Sequence, residues 1–271
     1  MAEKTKIQWC DHTFNPWIGC EKVNEGCKFC YAEALMDHRY GRVKWGPQGT
    51  RSRTKTWKDP IKWNREALAA GERRKVFCAS LADVFEDRPE LVPWRQELFE
   101  LIDRCQSLDW LLLTKRPENI DRMWPDNAKR DNVWLGTSIA NQNNADVYID
   151  RLIRSKAFCE FLFLSVEPQI AYVDLHSWFH PFSLIDWVIV GGESKQGKEE
   201  PRRFDIRWAM DMIWMCRDAN IPCFIKQLGS NVWSGNRKIR LQDYHGGNME
   251  EWPSNLRVRE CPETYFPVTC Q

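Results

Sequence analysis

The chain has 271 residues, 43% of them hydrophobic and 28% charged, with a formal net charge of +1. That length suits one large domain or two small ones, and that composition suits a globular protein. No apolar run approaches the roughly 18–20 residues that cross a bilayer, so no membrane partner is expected, and a balance this near neutral names no partner by itself. The opening MAEKTKIQW carries no apolar signal region, which predicts no secretion. Eleven cysteines without a signal peptide argue against a disulfide framework. They fit a cytoplasmic, reduced protein that uses some thiols for a metal or cluster and buries most of the others as small hydrophobes.

In chain order, TFNPWIG (13–19) reads as a first strand running into a cysteine-bearing loop. Further β-type apolar runs follow: KVFCAS (75–80), DWLLLT (109–114), NVWLGTS (132–138), FLFLSV (161–166), DWVIVGG (186–192) and PCFIKQ (222–227). Helical patterns fall between them, at roughly 29–40, 60–70, 94–106, 143–155 and 204–219. Near-continuous apolar strands alternating with helices predict an α/β fold with a parallel sheet of about seven strands. A full or partial (β/α) barrel and a doubly wound open sheet both satisfy that pattern. Polar residues cluster where the strands end, among them Ser80, Asp83, Lys115, Arg116, Ser138, Glu167, Glu193, Lys226 and Gln227. In a barrel those ends form one rim, where active sites sit; singly, each reads equally well as a helix cap or loop start.

Residues 39–75 interrupt the rhythm with twelve Lys/Arg against three Asp/Glu, and with Trp45, Trp57 and Trp63 among them. Basic residues interleaved with aromatics can hold a phosphate backbone and stack on bases. The segment therefore reads as a basic insertion that favours a nucleic acid or nucleotide substrate, with Arg51 and Arg53 as candidate contacts. The expected organisation is a barrel over 1–229 containing this insertion, and an irregular C-terminal extension or cap over 230–271.

Cys20, Cys27 and Cys30 form a C-x6-C-x2-C pattern, with Phe29 and Tyr31 flanking the last thiol. Three thiolates are one short of a structural zinc site unless Cys10, His12 or His38 supplies the fourth ligand. They suit a [4Fe–4S] cluster that keeps one iron open.

At these residues the sequence resembles the radical S-adenosylmethionine enzymes. CKFC matches the second half of their usual C-x3-C-x-aromatic-C signature, while the first gap is six residues instead of three. The blocks IQWCDHTFNPWIGCEKVNEGCKFCYAE, LLLTKRPENI, VWLGTSIANQ, FLSVEP, WVIVGGES and IPCFIKQLG, taken together, resemble a phage-associated radical-SAM-like family of largely undefined function, itself distantly similar to spore photoproduct lyase. The resemblance implies a partial (β/α) barrel of the radical-SAM type with an irregular C-terminal cap. It implies a [4Fe–4S] cluster on Cys20, Cys27 and Cys30 as metal-binding and catalytic residues. It further implies S-adenosylmethionine as cofactor, an electron donor of the flavodoxin or ferredoxin type, and a bacterial or phage-infected cytoplasm. For the S-adenosylmethionine site, Phe29 is expected near the adenine and Ser80 and Asp83 at the ammonium. Lys115 or Arg116 is expected at the carboxylate, and Ser138 and Glu167 at the ribose. Glu193, Lys226 and Gln227 are expected at the substrate. The implied enzyme is an isomerase, lyase or transferase acting on a nucleobase or nucleotide, a phage-type modified thymidine in DNA being one form. The alternatives are a peptide or small-metabolite substrate, a zinc-stabilised nucleic-acid-binding module, and a barrel that serves as a partner subunit.

Overall fold

The apolar runs pair side by side into one seven-stranded sheet, all parallel: β1 (His12–Thr13), β2 (Arg74–Cys78), β3 (Leu108–Thr114), β4 (Arg130–Ser138), β5 (Cys159–Val166), β6 (Trp187–Gly191) and β7 (Cys223–Gln227). This is a computed structural model that describes residue 5 and residues 7–263; the end of the expected C-terminal extension, with Cys270, lies outside the described residues. The spatial order of the strands is their chain order. A doubly wound sheet reverses its order at a switch point, and this sheet does not. Its two edge strands, β1 and β7, are not paired with each other. The fold is a partial (β/α) barrel.

Helices Asp59–Ala70, Val92–Arg104, Gln142–Arg154 and Ile206–Asp218 supply the crossovers, close to the expected spans. Their ends have local causes. Gly71 takes a left-handed φ of 66° after Ala70, Asn141 accepts from the Asn144 amide, and Asp205 accepts from the Arg207 amide. The expected first strand, 13–19, is broken in two. His12–Thr13 joins the sheet, and Trp17–Ile18 leaves it to pair antiparallel with Ser52–Arg53. The Asn15-Pro16 step between them removes a backbone donor.

Strand alternation sorts the core into two layers. Cys78, Leu112, Leu135, Leu164, Val188 and Ile225 face the helices in the main core. Phe77, Leu111, Trp134, Phe163, Trp187 and Phe224 face inward, where with Trp9 they fill the base of the barrel with aromatic rings. Cys78 and Cys223 belong to the outer layer, as structural thiols.

One expectation changes here. Trp57 and Trp63 are core residues, not a stacking surface: Trp63 stacks on His12 at 4.3 Å, and Trp57 meets Phe14 edge-on at 5.6 Å. Helical spacing explains Trp63, since Pro60, Trp63 and Ala67 share the buried face of their helix. Residues 230–263, the described part of the expected extension or cap, add to the fold. Val232–Ser234 and Arg237–Ile239 form a hairpin on Phe204–Asp205, and Trp252, Leu256 and Val258 enter the main core. The Ile225 amide donates to the Val258 carbonyl and the Glu260 amide to the Cys223 carbonyl, which covers the outer edge of β7. Among the described residues, no helix is long and apolar enough to cross a membrane.

Candidate functional site

Above the aromatic base, the carboxyl ends of the strands open into a cavity of about 1180 Å³. The same alternation that turns Trp134 and Phe163 inward brings Ser138 and Ser165 to its wall, two and one repeats of the pleat further along their strands. Gly191, on β6, lets Glu167 lie against the strand: a Cβ there would meet the Glu167 carboxyl carbon at 3.0 Å.

Cys20, Cys27 and Cys30 all line this cavity and are free thiols. Glu25–Cys27 forms a single 3₁₀ turn, and Cys30 immediately precedes the helix that begins at Tyr31 and continues through a π-helical stretch to Arg39. Gly26 is packed between Asn24 and Ala140, where a Cβ would come within 3.1–3.2 Å of both. Burial pushes the Cys20 thiol up to about 12, against the pull of the Arg116 charge, and burial likewise raises Cys30. Thiols so placed become thiolates only when bound positive charge compensates them.

The other expected residues come to the same cavity: Phe29, Arg53, Ser80, Lys115, Ser138, Glu167, Glu193, Lys226 and Gln227 all line it. The Lys115 ammonium donates to the Ser138 hydroxyl at 3.1 Å, and among the described residues it has no carboxylate partner. Lys226 pairs with Glu167 Oε1 at 2.5 Å, and Gln227 reaches the same oxygen at 3.3 Å and the Ser194 hydroxyl at 3.0 Å. Asp83 is in the wall but occupied: it accepts from Thr114, from Arg116 at 2.9 Å, and from the amides of Phe85 and Lys115. Arg116, an alternative cation for the S-adenosylmethionine carboxylate, is turned behind Cys20. Arg51 does not line the cavity; its guanidinium closes on Glu86 with both side chains buried.

Two residues matter that the sequence does not single out. Arg202 grips Glu193, donates to the Glu25 carbonyl at 2.6 Å and lies over the Phe29 ring at 5.4 Å. Asn15 bonds the Ser80 hydroxyl at 3.0 Å and the Leu81 amide at 2.6 Å, fixing the turn after β2. Arg202 sits in an undistinguished charged run, KEEPRRF, so nothing local marks it; the Asn-Pro step at 15 is at least a visible turn signal.

Among the described residues, no three His, Cys, Asp or Glu side chains gather closely enough to hold one metal ion. Cys10 packs against the aromatic base, and His12 stacks on Trp63.

The fold and the site together define a partial (β/α) barrel with a thiol-bearing cavity at the carboxyl ends of its strands. The chain belongs to a family described as a protein of unknown function, DUF5131, whose model matches residues 4–253. No curated protein matches it. Among solved structures it is similar to a point mutant of spore photoproduct lyase, with a TM-score of 0.44 and 13% identity over 69% of this chain and 56% of that one. It is also similar to a second mutant of that enzyme with dinucleoside spore photoproduct, with a TM-score of 0.43 and 14% identity over 66% of this chain and 54% of that one. The chain thus spans little more than half the length of the solved structures it matches.

Proposed function

We propose that the protein is a radical S-adenosylmethionine enzyme that holds a [4Fe–4S] cluster on Cys20, Cys27 and Cys30 and acts on a nucleobase or nucleotide. The observation that carries this reading is the gathering of three free thiols from one loop around the mouth of a partial barrel. When bound, the cluster and S-adenosylmethionine together supply an electron and an organic radical for hydrogen abstraction, chemistry that no side chain supplies.

The chain's own residues bind, orient and exclude water. Lys115, steadied by Ser138, offers a cation to a carboxylate. Phe29 offers a flat ring, against which Arg202 lies. Asp83 is a strut of the wall, which leaves Ser80 and Glu167 as acceptors for an ammonium or ribose. Lys226 and Gln227 both reach Glu167 through Oε1, so Oε2 is the oxygen left for a ligand. The aromatic base closes the cavity from below. Arg42, Arg53 and Lys55 line the cavity with Trp45. Cations beside a ring suit a phosphate and a stacked base.

The test is made on anaerobically purified protein reconstituted with iron and sulfide. With dithionite and S-adenosylmethionine, mass spectrometry should detect 5′-deoxyadenosine, and Cys30→Ala should abolish it. A fully loaded protein that makes none would place the chain in the partner-subunit class.

A further inference from the structure

The six-residue gap between Cys20 and Cys27 leaves a long loop to be held in place. Its first end is held by Arg116. This residue lies two positions beyond the end of β3 and is buried. Its guanidinium donates through Nη1 to the Cys20 sulfur at 3.5 Å and to Asp83 Oδ2 at 2.9 Å, and through Nη2 to the Glu21 carbonyl at 3.1 Å. Glu86 stands 3.9 Å from Nη2 and is itself gripped by Arg51. The fork is therefore anchored on both sides, and its position is set by the strand end rather than by the loop.

The three thiols differ in this respect. The Cys27 sulfur has a neutral neighbour, the Asn24 amide oxygen at 3.7 Å. Among the described residues, no arginine or lysine donates a hydrogen bond to Cys27 or Cys30. Arg116 and Arg51 bring two positive charges against Asp83 and Glu86 in the same buried group, and the partly exposed Glu21 carboxylate stands 3.8 Å from Arg116 Nη2. A thiolate at Cys20 would be a further negative charge that Arg116 faces.

We propose that Arg116 is a positioning residue of the cluster site, which fixes the Cys20 sulfur in the cavity wall and sets a permanent positive charge beside it. The proposal rests on the reading of the three cysteines as cluster ligands. Hydrogen bonds and charge at a ligating sulfur stabilise the more negative, reduced form of an iron–sulfur cluster and so raise its potential. Arg116 does this for one corner of the cluster only.

The experiment compares wild type with Arg116→Gln and Arg116→Lys after anaerobic reconstitution. It reads iron content, iron loss to a chelator, the reduction potential of the cluster and the thermal melt. In Arg116→Gln the potential should be more negative than in wild type, and retention of iron against the chelator should fall about 10–100-fold, the usual cost of losing a partner of a metal ligand. Arg116→Lys keeps the charge and loses the fork, so it should recover much of the potential but not the retention. If Arg116→Gln does not fold, the lysine variant carries the test. Unchanged potential and retention in a folded variant overturn the proposal. A wild type that takes up no iron overturns instead the reading of the cysteines, and Arg116 with it.

Discussion

Gly136 shows how one missing side chain shapes the site. It faces inward on β4, and an added Cβ would lie 2.4 Å from the Phe163 ring. The ring is buried within the base of the barrel among other aromatic residues, so it has nowhere to move. Gly136→Ala should cost about 1–3 kcal/mol, as overpacking does, read as a lower urea midpoint with an unchanged slope. Charge is harder to read one residue at a time. Arg51 looks like a phosphate contact because its neighbours in sequence are basic. In the fold Lys44, Arg51, Arg53, Lys62, Arg73 and Arg74 are each paired with a carboxylate, and Arg51 is the most deeply buried of them. Its partner, Glu86, stands 35 residues away, and no local pattern announces that meeting.

At the scale of elements, local rules carried far. The six strands after the first and four of the crossover helices fall within a few residues of their expected spans, because periods of 2 and 3.6 are properties of neighbouring residues. Asp205 shows what a helix start adds. Its carboxylate caps Ile206–Asp218, takes Arg203 and Arg207, and receives the Gly235 amide from the adjoining hairpin. Burial works to raise its pKa, but the bonds from Arg207 and Arg203 more than offset that and hold it well below the ordinary carboxylate range. A carboxylate whose folded pKa lies below its unfolded one stabilises the fold above the unfolded value, about 3.9, and that contribution fades as pH falls toward the folded pKa. Asp205→Asn keeps a capping side chain but loses two partly exposed arginine pairs, each worth up to about 1 kcal/mol; it should therefore lower stability by about 0.5–2 kcal/mol at pH 7, and the gap between wild type and variant should narrow below about pH 4. Thermal melts at the two pH values check this; a gap that widens in acid contradicts it.

At the scale of the molecule, residues 230–263 pack as part of the barrel's structure. Trp252, Leu256 and Val258 are buried in the main core, each worth about 1.5–3 kcal/mol. Together they are comparable with the net stability of a typical domain, about 5–15 kcal/mol. A chain ending at residue 229 should therefore lose its cooperative thermal transition by circular dichroism; a sharp transition in that fragment would show 1–229 to be an independent unit. Reading from residues alone, the sequence determined the succession of strands and helices, the thiol loop and the polar strand ends, since each is a matter of spacing and residue type. Every expected site residue except Arg51 lines the same cavity, and those at strand ends do so because the ends of a parallel sheet converge whatever their distance in the chain. Only the tertiary structure decided between an open barrel and a doubly wound sheet, and only it showed which charges meet. Arg116 reaches Cys20 across 96 residues, and Arg202 reaches Glu25 across 177. Such pairs depend on how the whole sheet bends and where its crossovers land, and no window of neighbouring residues contains that information.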